Sequence, residues 1–431
     1  MKPMALVQFT PRADLRAAHH VCRDSNTVKP LRIVVVGTLA SNPYAGMAWM
    51  HMQITAGLHR LGHDAYYFET TSTWPYDPVR QMKVCDSEYS VPYLARVAEG
   101  FGLAGRWAYR RSYSDKEWLG LSSHKAQDLL AHSDAVFNVA GATRFAEEGL
   151  RVGRLVYFGT DPVYPEIAFA NGDVDTRTLL AEHDEVVTYG ENIGKGDCAI
   201  PPLPRLKSRT RQPVLLDLWR SGPPSKVEFT TLANWKQDGR DVQYCGDTYH
   251  WSKDREFLKF IDLPSRIEQP IELATNLKGP RTSDARTGEA VRAFGLDTDA
   301  YLLLKNKGWR LVHGPDFTTD PWSYRDYVRA SRGEFTVARD LNVRLRSGWF
   351  SERSACYLAA GRPVVTQDTG FGTVLPTGEG LFAFNTMGEI LAAFEAINSD
   401  YERHSRAARA IAEEYFRAET VLAQVLKDLR L

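Results

Sequence analysis

Residues 347–372 read SGWFSERSACYLAAGRPVVTQDTGFG, and this stretch decides how the chain folds on paper. Ser351 suits a helix N-cap. Glu352 suits the first turn, where the helix end favours an acid. Gly361 suits the C′ position, and Pro363 cannot continue a helix. PVVTQ then reads as a short strand, followed by a loop of Asp368, Thr369 and Gly370. A helix feeding a parallel strand that ends in a Gly-containing loop is half of a βαβ unit. Ligands of open α/β sheets sit in the crevice beyond the carboxyl ends of the strands. The stretch therefore predicts a ligand beside residues 368–372.

Moving outward, the same grammar repeats. LRIVVVG (31–37) is an apolar strand, followed by the loop TLASNPYAG and a helical run, MAWMHMQITAGLHR (47–60). Met47, Met50, Ile54, Leu58 and Leu61 recur every three or four residues and predict one buried face. Further strands are expected at 63–69, 134–141, 154–162 and 184–192. A second set begins at VEFTTLANW (227–235). It contains a helix capped by Ser252 and a helix opened by Asp320 and Pro321, with Gly333 just past its end. EFTVAR, PVVTQ and GLFAF supply strands, and Thr386 with Glu389 forms a capping box. Strands alternating with helices argue for an α/β fold of two Rossmann-like, doubly wound domains facing a cleft. The expected boundaries are an N-terminal extension (1–30), a first domain (31–205), a Pro- and cation-rich link (206–226), a second domain (227–405) and C-terminal helices (406–431).

Composition narrows the function classes. The 431 residues carry 53 Lys+Arg and 53 Asp+Glu, so the formal net charge is zero. The basic excess of a nucleic-acid binder is absent. No apolar run approaches the ~20 residues of a membrane span. The five cysteines are scattered without a C-x-x-C pair, which points to a reducing, cytoplasmic setting rather than a disulfide or zinc framework.

Several motifs bear on chemistry. GTLASNPYAG (37–46) lies between a strand and a helix, where backbone N–H groups can cradle an anion, but it lacks the G-x-G-x-x-G fingerprint. GENIGKG (190–196) fails as a phosphate loop on spacing. The D-x-D strings Asp173/Asp175 and Asp297/Asp299 follow no convincing strand and read as turn or cap residues. Cys356, among Ala, Tyr and Leu, reads as a small core residue. The better signal is arginine: Arg339, Arg344, Arg346, Arg353 and Arg362 surround the 347–372 stretch. Arginine is suited to bidentate pairing with phosphate oxygens, and one or two of the five are expected to touch a ligand.

SERSACYLAAGRPVVTQDTGFG resembles the donor-site segment of GT-B glycosyltransferases, in which an A-x-G-x-P-V-V helix end leads to a strand and a Gly-containing loop. GEFTVAR, SGWFSERSACYLAAGRPVV and GTDPVYPEI are similar to a bacterial group of such proteins. The resemblance spans residues 31–425 at fold level and is specific in 331–384. It implies C-terminal helices that cross back to the first domain. It also implies glycosyl transfer from a nucleotide-diphosphate sugar, a co-substrate rather than a cofactor, to a small soluble acceptor. In the resembling alignment Gly348 and Cys356 stand where the large retaining family carries the two acids of E-x7-E, with Glu352 between them.

On this reading the diphosphate is expected near Arg339, Arg344, Ser347, Gly348, Ser351, Glu352 and Arg353, and the sugar near Asp368, Thr369 and Gly370. No metal is expected. The acceptor is expected on the first domain, near Ser41, Asn42 and Gly46. An inverting route needs a base: Asp161, at a strand end, is the first candidate and His51 the second. The same architecture would also serve a nucleotide-sugar epimerase or hydrolase, or a non-catalytic nucleotide-sugar-binding protein.

Overall fold

Two parallel sheets form the frame. The first contains β1 (Arg32–Val36), β2 (Asp64–Glu69), β3 (Trp107–Arg110), β4 (Trp118–Gly120), β5 (Ala135–Val139), β6 (Leu155–Gly159), β7 (Glu185–Thr188) and β8 (Leu206–Arg209). Their spatial order is β8-β7-β6-β5-β1-β2-β3-β4, and only β3–β4 is antiparallel. The second contains β9 (Phe229–Leu232), β10 (Ile271–Thr275), β11 (Arg310–His313), β12 (Gly333–Thr336), β13 (Val364–Gln367) and β14 (Leu381–Phe384), in the order β11-β10-β9-β12-β13-β14. In this computed structural model the described residues are 29–237, 239–277 and 298–431. The expected extension therefore lies almost wholly outside the described residues, as does Asp297.

The strands form where the sequence is apolar and β-branched because both sheet faces are covered. Ile33, Val34, Val35 and Val36 are all fully buried, and β1 runs parallel to β2 and β5 (Ile33 opposite Ala65 and Ala135). The helices that matter below are α1 (Ala45–Arg60), α2 (Pro321–Ala330), α3 (Glu352–Ala359), α4 (Met387–Ser399), α5 (Tyr401–Tyr415) and α6 (Ala418–Asp428). Asp320 caps α2 by accepting from Ser323 N, and Thr386 with Glu389 caps α4 reciprocally. Gly361, at φ +68°, follows α3 in the left-handed conformation that the C′ position requires.

The C-terminal helix returns to the first half. Leu422 of α6 reaches Gly57 of α1, Ser208 bonds Asp428, and Val214 N donates to Phe416 O. One apolar core runs through α1, α3, α5 and α6, with Trp49 packed on Phe101, Trp219 and Trp322. The described residues from Leu31 to Leu431 form one compact unit.

Four local expectations change. Leu206–Arg209, placed in the link, is instead strand β8 beside β7. Helix α1 is buried nearly all round rather than on one face, because the sheet, α2, α3 and α6 surround it, while Met47 and Met50 turn to the cleft. Ser252 caps nothing: its hydroxyl accepts from Gln237 N, and the helix there begins after Lys253. Gly333 opens β12 rather than stopping a helix. An added Cβ would stand 2.2 Å from the Phe229 ring, so packing demands the glycine.

Candidate functional site

Each sheet has a switch point, where the chain leaves one side of its first strand and resumes on the other. In the first sheet this lies between β1 and β5, and in the second between β9 and β12. Such points open a crevice at the carboxyl ends of the strands. A cavity of about 1430 Å³ lies between the halves. Thr38, Val139 and Ala140 line it from the first switch point, and Leu232, Asn234 and Arg339 from the second. Single-ligand pockets run to roughly 300–1,000 Å³, so there is room for two ligands.

The second half supplies the charge. Arg339, just beyond β12, lays its guanidinium over Trp251, 3.7 Å from the ring centroid. Its Nη1 donates to Asp161 Oδ1 at 2.5 Å, across 178 residues of sequence. Its Nε is buried and bonds no described group. Lys253 stands nearby, with no bonding partner for its ammonium among the described residues. Burial, then Arg353 and Arg339, hold its pKa well below the ordinary lysine value. Arg353 reaches the same wall but is committed: it donates to Glu334, to Leu232 O and to Thr336 Oγ1.

The N-terminus of α3 opens on the cavity at Ser351. Its first turn closes with Ala355 N on Ser351 O, and the Ser351 side chain makes no capping bond. The N–H groups of residues 352–354 thus have no intrahelical acceptor. The Ser354 hydroxyl is buried without a described partner. Glu352 lines the cavity while accepting from Gln53 Nε2 at 2.9 Å, and burial pushes its pKa up to about 8. Gln53 in turn accepts from Leu215 N and Trp219 Nε1, tying α1 to the link and the link to α3.

The sequence candidates divide. Asp161, Arg339, Ser351, Glu352, Arg353, Asn42 and Gly46 line one cavity. Arg344 does not: it lies over Tyr249 and bonds Asp247 and Thr248 O. Ser347 is buried on Asn342, and Gly348, at φ +74°, packs against Asn192. The loop expected to face the sugar instead closes on the first half. Asp368 accepts from Gly370 N and Arg346, Thr369 donates to Trp349 O, and Gly370 O accepts from Asn192. Arg346 pairs with Asp197, and Arg362 is spent on backbone carbonyls of Gly222 and Arg329. Asp173, from a D-x-D string, is a helix N-cap.

His51 is not placed as a base. It is 1% exposed, with Nδ1 at 2.7 Å from Met47 O and Nε2 accepting from Thr38 N. Burial lowers its pKa to about 4, and no nitrogen remains for a substrate. Nor does the loop after β1 await an anion. The Glu69 carboxylate already takes Ala40 N, Ser41 N and Tyr67 Oη, with its pKa raised by burial to about 7 against those bonds. Ser41 is consequently buried rather than facing the acceptor side.

Reading the sequence missed Lys253, Trp251 and Glu69. Lys253 sits in SKDRE, which reads as a solvated helix start, and only the packing of the second half brings it to the cavity wall. A single signal was available: Trp251 beside a cation, a pattern suited to stacking.

No family model matches the chain, and no curated protein does. Solved structures do. Anabaena HepE in complex with UDP and glucose aligns over 93% of this chain and 99% of its own, at 13% identity and TM-score 0.53. The fold is GT-B. A glycosyltransferase from Rickettsia africae ESF-5 aligns over 93% and 98%, at 11% identity and TM-score 0.52. Sucrose-phosphate synthase from Thermosynechococcus elongatus aligns over 92% and 98%, at 11% and 0.50. The GT-B frame accounts for two facing switch points in one chain.

Proposed function

We propose that this cleft transfers a glycosyl group from a nucleotide-diphosphate sugar to an acceptor hydroxyl, without a metal. One observation carries the reading. Arg339, Lys253 and the open N-terminus of α3 converge on the second switch point, opposite a carboxylate, Asp161, from the other half. The GT-B fold and the UDP complex of HepE support it. Transfer needs a stabilised leaving diphosphate and a positioned acceptor more than covalent help. A helix N-terminus supplies ~0.3–1 kcal/mol per anion, up to ~2 when partly buried. Charge-assisted bonds from Arg339 and Lys253 add to that, which is why the route is read as metal-independent.

Arg339 cannot serve a diphosphate fully while it holds Asp161. Phosphate binding to Arg339 would release the carboxylate toward the acceptor. The acceptor oxygen then bonds the anomeric carbon, and the bond from that carbon to the diphosphate oxygen breaks. The nucleoside diphosphate leaves with the electron pair, and Asp161 takes the acceptor's proton. The test is a panel of nucleotide sugars in EDTA, titrated for binding and followed for released nucleotide. Saturable binding with release is expected; no binding by any nucleotide diphosphate would overturn the reading.

A further inference from the structure

The cavity's charge is segregated. Arg240, Lys253, His313, Asp316, Arg339, Glu352 and Arg353 line it from the second half. Before residue 160, no Asp, Glu, Lys or Arg among the described residues lines it. The first-half wall is built instead from Met47 and Met50 of α1, from Tyr44 and Tyr76, and from Tyr89 and Val79. The Tyr44 and Tyr76 rings stack, with centroids 5.8 Å apart and an angle of 21° between planes. Tyr44 is 40% exposed and Val79 79%, so this face stays open to solvent from wall to rim.

Exposed aromatic and apolar side chains in a cleft are unfavourable in water unless something covers them. What covers these is set by their chemistry. An anionic acceptor would find no cation on this wall. A polyhydroxylated acceptor needs several directed polar partners, and apart from the tyrosine hydroxyls at its rings the wall offers Thr38, Asn42 and Gln81. Stacked tyrosines present a flat π-face, and thioethers make favourable contacts with ring edges. From this segregation we infer that the acceptor is an uncharged aromatic compound carrying a hydroxyl, its ring on Met47, Met50, Tyr44 and Tyr76 and its hydroxyl directed at Asp161. The inference rests on the glycosyl-transfer reading and gives it a substrate class.

The test separates the two. 2-Naphthol, glucose and 1-octanol are titrated against the wild-type chain by calorimetry with UDP present, beside UDP alone. 2-Naphthol is expected to saturate, with glucose silent and octanol weaker. Met50→Gln and Tyr44→Ala should each weaken naphthol binding about tenfold, the scale of one buried apolar side chain, and leave UDP affinity unchanged. A wild type that binds glucose instead, or octanol as well as naphthol, overturns the inference. So does naphthol binding that neither variant alters while both melt like wild type. Absent UDP binding with intact naphthol binding would instead count against the transfer reading.

Discussion

Asp161→Asn should tighten the hold on nucleotide diphosphate while abolishing most turnover. In the free protein the Asp161 carboxylate occupies Arg339 Nη1 at 2.5 Å, with side chains 32% and 15% exposed. An incoming diphosphate must break or share that bond. A hydrogen bond to a charged group contributes ~1.5–3 kcal/mol and a neutral one ~0.5–1.5. Asparagine keeps the acceptor oxygen but loses the charge, which lowers the cost of freeing Arg339 by about 1 kcal/mol. UDP affinity should therefore rise roughly fivefold, since 1.4 kcal/mol is tenfold. Loss of the base should lower nucleotide release by ~10²–10⁴-fold. Calorimetry with UDP, paired with a release assay on the same preparation, measures both. Weaker UDP binding by a normally folded variant would refute the argument, because Asp161 would then belong to the phosphate site. Unchanged turnover would remove it as the base.

Lys253→Met should reduce UDP affinity about 10- to 100-fold, the worth of one charge-assisted bond, without lowering Tm, since its ammonium bonds no described group. A titration indistinguishable from wild type would remove Lys253 from the phosphate site. Glu352→Gln tests the raised carboxyl, whose pKa is about 8 in the fold against 4.5 for the free group. Its folded form favours the proton, so the stability it contributes is full below pH ~4.5 and lost as pH rises through 8. The Tm advantage of the variant over wild type should be small at pH 5, grow to pH 8 and then level off; a pH-independent difference would contradict the assignment. Gly348→Ala should cost at least about 2 kcal/mol in urea unfolding, because a side chain at φ +74° is strained and its Cβ would meet Asn192 Cγ at 2.8 Å. A loss within roughly 0.5 kcal/mol would mean that the 192–348 contact gives way easily.

The sequence by itself determined the strands and their parallel arrangement. Runs such as IVVV in β1 are apolar at every position, which only a sheet covered on both faces tolerates, and caps such as Asp320 and Thr386 are local hydrogen bonds between near neighbours. The two Rossmann-like halves were legible for that reason, whereas the GT-B frame was legible only through the resemblance of residues 351–372 to a donor-site segment. Tertiary structure alone decided which polar side chains face the cavity. Arg339 and Arg353 look alike in sequence, yet Glu334 commits one of them and Asp161 holds the other across two domains. His51 and Glu69 become internal partners of the β1 loop, and the 368–370 loop closes on Asn192, because backbone N–H and C=O groups there must be satisfied once buried. Lys253 enters the site through packing that no period or motif encodes. Periodicity records which face of an element is covered; the partner of a buried charge depends on what the fold brings to it, 19 residues away for Arg353 and 178 for Arg339.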